Sequence, residues 1–361
     1  MSDREQQRLD FLAAAGLGEA ARAPLPGDAS TRRYERLTTA AGTTLMLMDQ
    51  APAAESQPCD PSWSPERRRT EGWNAVARLS AGRIEAFAAV AAHLRSLGLS
   101  APEIVAVDAA AGLAVLEDFG DNLFARVIEA GEAEEPLYLA AVEALAVLHE
   151  TGTPEVLTGA AGDWPLQTYD AVALKGGADL FVEWMPRFNP ALVFTDQALA
   201  EWDAAWAPLV EDAERLASVV AHRDYHAENL IWLPDRTGAA RVGMIDFQDA
   251  VRAHPSWDLH SLLQDARRDV SSTLEAKALD HYFSLRPTID REAFMRSYAA
   301  LAALNEARIL GVFARLVVRD GKPRYRAFMP RMWDHLERNL PRAGEAVRAW
   351  FDTWVPAELR R

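Results

Sequence analysis

Apolar and polar positions along this chain follow two periods in turn, a helical one and a strand-like one. Residues 3–15 place Leu9, Leu12 and Ala13 at i, i+3, i+4 spacing, which predicts an amphipathic helix stopped by Gly16. Residues 33–37 and 43–48 read as two strands of a hairpin turning across Ala40-Ala41-Gly42. Residues 83–97 put Ile84, Phe87, Ala91 and Leu94 on one helix face before Gly98. Two further strands are predicted at 104–107 and 113–117, and a helix at 134–150 with Leu137, Val142, Leu145 and Leu148 as core. Residues 230–233 and 241–245 read as short strands joined by a turn over 234–238. After residue 250 the pattern is helical, at 257–265, 273–283, 291–310 and 324–340.

Residues 51–69 break the pattern. They are rich in Pro, Ser and charge and predict a loop or insertion. Cys59 lies there, so an exposed thiol is expected, and no nearby histidine makes it a catalytic one. As the single cysteine, it excludes an internal disulfide.

A chain of 361 residues, 49% hydrophobic and 25% charged, has ordinary globular composition and fits one large two-lobed unit or two domains. No apolar run reaches the roughly 18 residues of a membrane span, and the charged start leads into an amphipathic segment rather than a signal peptide. A cytoplasmic protein is the simplest expectation. The net charge of −15 argues against a nucleic-acid partner, which needs a basic surface. It would suit a cationic substrate, although solubility alone accounts for it. Oligomeric state is not legible.

The candidate chemistry is concentrated in two stretches. His222-Arg223-Asp224-Tyr225-His226-Ala227-Glu228-Asn229 fits the pattern H-R-D-x-x-x-x-N, and Gly243-Met244-Ile245-Asp246-Phe247-Gln248 carries an aspartate behind an apolar strand. Phosphoryl transfer from ATP needs a carboxylate that orients and deprotonates the attacking hydroxyl, and oxygen ligands that hold Mg²⁺ against the phosphates. Asp224 is the candidate base, and Asn229 and Asp246 are the candidate metal ligands. The intervening hairpin can return Asp246 to the side of Asn229.

At these residues the chain resembles the aminoglycoside phosphotransferase family of small-molecule kinases, relatives of protein kinases. The resemblance implies an α+β, protein-kinase-like bilobal fold: a small N-lobe with an antiparallel sheet, a larger mainly helical C-lobe, and ATP between them. The lobes would divide at 1–117 and 118–361. Trp257-Asp258-Leu259 resembles the segment after the family's metal aspartate, so Asp258 would brace the catalytic loop and His222 would support it by hydrogen bonding. Asp28-Ala29-Ser30-Thr31-Arg32-Arg33-Tyr34, Leu116-Glu117-Asp118-Phe119-Gly120-Asp121 and Val312-Phe313-Ala314-Arg315 with Arg319-Asp320-Gly321-Lys322 are similar to one subgroup, the anomeric sugar kinases of bacterial cell-wall recycling. That subgroup phosphorylates the C1 hydroxyl of N-acetylmuramate and N-acetylglucosamine, so an amino sugar is the implied substrate.

Asp118-Phe119-Gly120 spells the DFG of protein kinases, but it precedes the HRD stretch, whereas the metal aspartate should follow it. It reads instead as a hinge, with backbone groups near Glu117 and Phe119 toward adenine and Gly120 at the turn. The phosphate lysine of the wider family is missing: the chain has only Lys175, Lys277 and Lys322. Arg32 and Arg33 are the candidate replacements, and adjacent strand residues face opposite sides, so one of them should reach the phosphates. Ser30 and Thr31 would supply small residues in place of a glycine-rich loop. His222 and His226 are four apart but flank Asp224 in a loop, without the helical H-E-x-x-H of a zinc protease. Glu183 is a candidate for substrate hydroxyls, and Arg308 and Arg315 for an acidic sugar group. Trp202 and Trp206 read as core. Two other readings stay open at this stage: an aminoglycoside or amine-alcohol phosphotransferase, and a nucleotide-binding regulator without catalysis.

Overall fold

Side chains alternate across a strand, and that alternation builds the N-terminal sheet of the computed structural model, which describes residues 3–26, 32–50, 59, 60, 62–80 and 83–361. In chain order the elements are α1 (Asp3–Ala14), β1 (Ala21–Pro24), β2 (Arg33–Thr38), β3 (Thr44–Asp49), α2 (Pro65–Glu71), α3 (Ile84–Ser96), β4 (Ile104–Asp108), β5 (Leu113–Glu117), α4 (Phe124–Glu129), α5 (Glu134–Glu150), β6 (Val156–Gly159) and β7 (Gly162–Pro165). There follow α6 (Ala171–Ala178), α7 (Leu180–Phe188), α8 (Asp196–Arg215), β8 (Val219–Ala221), β9 (Leu230–Trp232), β10 (Val242–Met244), β11 (Val251–Ala253), α9 (Ser256–Leu263), α10 (Ser272–Leu285), α11 (Arg291–Val318), α12 (Met329–Ala343) and α13 (Glu345–Trp354). They form two compact units, one of residues 1–148, 154–166 and 228–250, the other of 149–153, 167–227 and 251–361.

The first unit holds a five-stranded antiparallel sheet in the order β1-β2-β3-β5-β4. Leu37, Leu47 and Val115 come from three adjacent strands of that sheet and bury completely against Leu12 of α1. Each such burial contributes about 1.5–3 kcal/mol, so α1 is held as the lid of that face. The β9–β10 hairpin belongs to this unit. Its β10 is tied back by the Met244 N–H donating to the Ser100 carbonyl at 2.8 Å. A Cβ on Gly243 would stand 2.8 Å from the Phe119 ring, so only glycine lets that ring lie against β10. Phe247, just past Asp246, stacks on Phe87 of α3 at 4.7 Å and fixes the exit of the hairpin.

The second unit is mainly helical. The short pair β8–β11 brackets the loop that carries Asp224. The 28-residue α11 crosses α7 at Gly311, where a Cβ would fall 2.3 Å from the Leu180 backbone. Only glycine permits that approach, and it sets the two helices face to face. Trp202 stacks on Phe181 at 5.7 Å and meets Trp206 edge-on at 5.4 Å; both tryptophans are core, as expected from the sequence.

Several elements depart from the sequence pattern. Pro65–Glu71 is helical inside the stretch expected to be loop, because the Ser64 hydroxyl caps it through the Arg67 N–H and Pro65 sits at its first position. The expectation of an exposed Cys59 is overturned. Its N–H donates to the Leu79 carbonyl at 2.8 Å, which draws the side chain to 6% exposure. The helix expected at 324–340 begins as a 3₁₀ turn, Pro323–Phe328, and becomes α-helical only where Pro330 fits a first turn. α11 continues to Val318, past the expected end at 310.

Candidate active site

The loop bearing Asp224 is built from its backbone outward. Asp258, fully buried at the third position of α9, accepts from the N–H of His222 at 2.6 Å and of Arg223 at 2.8 Å. Two orphan donors of an irregular loop are thereby satisfied by one carboxylate. His149 lies beside it, with Nε2 4.0 Å from Asp258 Oδ2 and Nδ1 2.9 Å from the Tyr282 hydroxyl. Burial pushes the pKa of His149 down and so favours the neutral ring. Arg223 adopts φ +78°, and this turn is pinned from both sides. Its carbonyl accepts from Trp257 Nε1 at 3.1 Å, and its guanidinium lies 4.3 Å from the centre of the Tyr169 ring. His222 Nδ1 accepts from the Asp224 N–H at 3.3 Å, which selects the tautomer carrying its proton on Nε2.

Asp224 itself emerges with its side chain 56% exposed, so the carboxylate is accessible. Its Oδ1 lies 3.3 Å from His226 Nε2. Desolvation raises its pKa, but the charges of His226, Arg267 and Arg308 outweigh that and hold it well below the ordinary carboxylate range. The same pairing acts in reverse on His226: burial disfavours its charge, yet Asp224 raises its pKa above the usual histidine value. The ionised form of Asp224 is therefore the favoured one.

The first unit carries the other residues singled out by the motif. Asn229 immediately precedes β9, and its carbonyl accepts from the Ile245 N–H at 3.1 Å. The hairpin register thus brings Asn229 and Asp246 to the same end of the β9–β10 ladder. Asp246 has φ +63°, a left-handed conformation that short polar residues tolerate best and that stores about 1–3 kcal/mol of strain. Its carboxylate is 38% exposed. One amide oxygen and one carboxylate oxygen make a hard donor pair of the kind Mg²⁺ uses when phosphate and water complete its shell. Among the described residues no group of three or more His, Cys, Asp or Glu is placed to hold a metal. The donor set fits Mg²⁺ shared with a phosphate better than a metal held by protein alone.

Arg32 and Arg33 part as the strand rule requires: Arg33 is exposed, and Arg32 is 7% exposed. Arg32 Nη1 lies 2.9 Å from Asp246 Oδ1 and donates to Gln248 Oε1 at 2.6 Å. Ser30 and Thr31 lie outside the described residues. Glu117 is engaged within its own unit: its N–H donates to the Glu103 carbonyl at 2.8 Å, and its carboxylate takes Arg236. The Arg236 guanidinium also lies 4.9 Å from the centre of the Phe119 ring. Arg36 secures this stretch further, donating to Asp118 at 2.7 Å and to Asp121 at 2.9 Å, and Gly120 turns at φ +78°.

In the second unit, Glu183 is half-exposed and lies 3.5 Å from Arg187, one turn away on α7. Arg315, on the facing α11, feels its charge. Arg308, two turns earlier on α11, is the one of the three whose charge reaches Asp224. Sequence reasoning passed over His226 except as a rejected zinc ligand, quoted Gln248 and Tyr34 only as members of motif stretches, and passed over Arg267 entirely. The i, i+2 placement of His226 after Asp224 is a signal that could have found the first; nothing local distinguishes the others.

Residues 21–304 match the family model described as "Phosphotransferase enzyme family". The chain belongs to that family. It is a phosphotransferase enzyme with a kinase-like fold. A curated relative from Caulobacter vibrioides, N-acetylmuramate/N-acetylglucosamine kinase, is 56% identical over 362 residues, covering 100% of this chain and 99% of the relative. One of the same name from Pseudomonas aeruginosa is 28% identical, covering 93% and 89%. Among solved structures, a choline/ethanolamine kinase family protein from Mesorhizobium loti superposes with a TM-score of 0.58 at 16% identity, covering 96% of this chain and 99% of that one. An ADP-bound aminoglycoside phosphotransferase superposes with a TM-score of 0.51 at 14% identity, covering 91% and 96%. These phosphotransferase likenesses agree with the five-stranded antiparallel sheet and the mainly helical C-terminal part. Among the described residues no helix is long and apolar enough to cross a membrane.

Proposed function

We propose that this phosphotransferase is an ATP-dependent sugar kinase acting on the anomeric C1 hydroxyl of N-acetylmuramate and N-acetylglucosamine, as part of cell-wall sugar recycling in the cytoplasm. The observation that carries the reading is the 56% identity, over the whole chain, to a relative named for those two substrates. The site chemistry supports it. Asp224, exposed and ionised, accepts the proton of the sugar hydroxyl as that oxygen attacks the γ-phosphorus in line. Asp258 and His222 hold the loop that presents Asp224. Asn229 and Asp246 would hold Mg²⁺, which when bound neutralises charge on the phosphates. Backbone groups near Glu117 and Phe119 face adenine in this reading.

A coupled assay of ADP release across both sugars and a panel of aminoglycosides tests the assignment. Turnover of the amino sugars, with a sugar 1-phosphate identified by ³¹P NMR, is the expected result. Turnover of aminoglycosides alone, or phosphate on another hydroxyl, would refute it.

Arg32 takes the role of the missing lysine in this reading, because it is the buried member of the pair and already faces Asp246. Arg32→Ala is expected to raise the KM for ATP by about 10- to 100-fold, the scale of a charge-assisted phosphate contact, while Arg33→Ala changes it little. Equal effects in the two variants would remove Arg32 from that role.

A further inference from the structure

Asp224 is surrounded in its own unit by cations more closely than a general base requires. The His226 ring nitrogen that lies 3.3 Å from Asp224 also lies 3.3 Å from Arg267 Nη1. Arg267 is held from its backbone, its N–H donating to the Asp265 Oδ1 at 2.8 Å, so the start of its side chain is fixed while the residue stays partly exposed. Arg308 lies on α11, near enough for its charge to reach Asp224. Its Nη1 donates to Asn305 Oδ1 at 3.0 Å, and its Cδ packs 3.1 Å from where a Cβ on Gly177 would stand, so the absence of a side chain at 177 gives the arginine its course. The buried carboxylate of Asp265 also acts on His226. A chain of net charge −15 has thus gathered positive charge where the acceptor hydroxyl must meet its base.

Resting on the sugar-kinase reading, we propose that Arg267 and Arg308 form an anion-binding edge beside Asp224 that takes the lactyl carboxylate of N-acetylmuramate. The two sugars named for the relatives differ by that group: N-acetylmuramate carries a carboxylate on its lactyl ether, and N-acetylglucosamine carries a neutral hydroxyl there. A guanidinium matches a carboxylate in a planar, bidentate fashion, and both arginines are partly exposed, so a ligand can reach them. The same edge repels a polycationic acceptor, which sets this site against aminoglycosides.

Steady-state kinetics of the full chain with each sugar at saturating ATP reads the effect, as the ratio of kcat/KM for N-acetylmuramate to that for N-acetylglucosamine. Arg267→Gln and Arg308→Gln are each expected to lower that ratio by about 10- to 100-fold, the scale of one charge-assisted hydrogen-bond pair. Arg267→Lys, which keeps the charge and loses the fork, should recover part of it. Equal losses on both sugars would overturn the proposal, because a contact with the transferred phosphoryl group or with the fold itself does not discriminate between acceptors. So would an unchanged ratio in a wild type that turns over both sugars. A wild type that turns over neither would instead sink the sugar-kinase reading beneath it.

Discussion

Asp224→Asn is expected to bind nucleotide as the wild type does and to transfer phosphate about 10²–10⁴-fold more slowly, the share of a positioned general base. The substitution preserves size and leaves the loop's supports in place, since Asp258, Trp257 and His222 all bind backbone groups of residues 222–224 rather than the Asp224 carboxylate. Single-turnover kinetics beside calorimetry of nucleotide binding separates the chemical step from affinity. An unchanged transfer rate would remove Asp224 from the mechanism. The variant carries a second signature. Asp224 raises the pKa of His226, so its neutralisation should let that pKa fall under the desolvation that opposes it, visible in an NMR titration of the ring. In the wild type, the surrounding cations depress the Asp224 pKa, so the base is lost only as pH falls far below the ordinary carboxylate range. Any fall in activity between about pH 5 and 7, where an unperturbed histidine titrates, must then come from another group.

Asp246→Asn is expected to abolish the Mg²⁺-dependent part of nucleotide affinity. Asparagine is the informative replacement because the position sits at φ +63°, which asparagine tolerates and alanine does not, so backbone strain is held constant while the charge is removed. Calorimetry with ATP in magnesium and in a chelator should give two different affinities for the wild type and one for the variant. A preserved magnesium dependence would end the metal assignment. Losing the carboxylate also removes one of the negative charges that face the buried Arg32, which keeps Gln248, Tyr34 and the charge of Asp249. Loss of one such charge-assisted contact costs about 1–3 kcal/mol, so a lowered urea midpoint should accompany the binding defect.

Much of the frame was legible before any coordinates. The helices at 3–14, 84–96 and 134–150 and the strands at 33–38, 44–49 and 113–117 follow from side-chain periodicity, because each buries one continuous face and repeats at its own period. The three-residue strands β9 and β10 were legible from the turn between them, but β8 and β11, equally short, were not: no local turn joins them, and they exist because they pair with each other around the Asp224 loop. The 20-residue α8 was missed too; its interior Pro208 and many charges mask an apolar stripe that only the contact with α6 and α13 explains. The 3₁₀ start before α12 and the burial of Cys59 were likewise set by tertiary contacts.

The order of chemical groups along the chain belongs to the sequence: an aspartate in an HRD loop, an asparagine five residues on, an aspartate after a two-stranded turn, and no lysine before residue 175. That order is covalent, and short-range spacing carries it. Which arginine turns inward, that Asp258 reaches back to the backbone of 222 and 223, and that Arg267 approaches His226 depended on folding. Those partners stand 36, 35 and 41 positions apart, too far for local period or propensity to relate them, and only packing of the intervening elements brings such groups within hydrogen-bond reach.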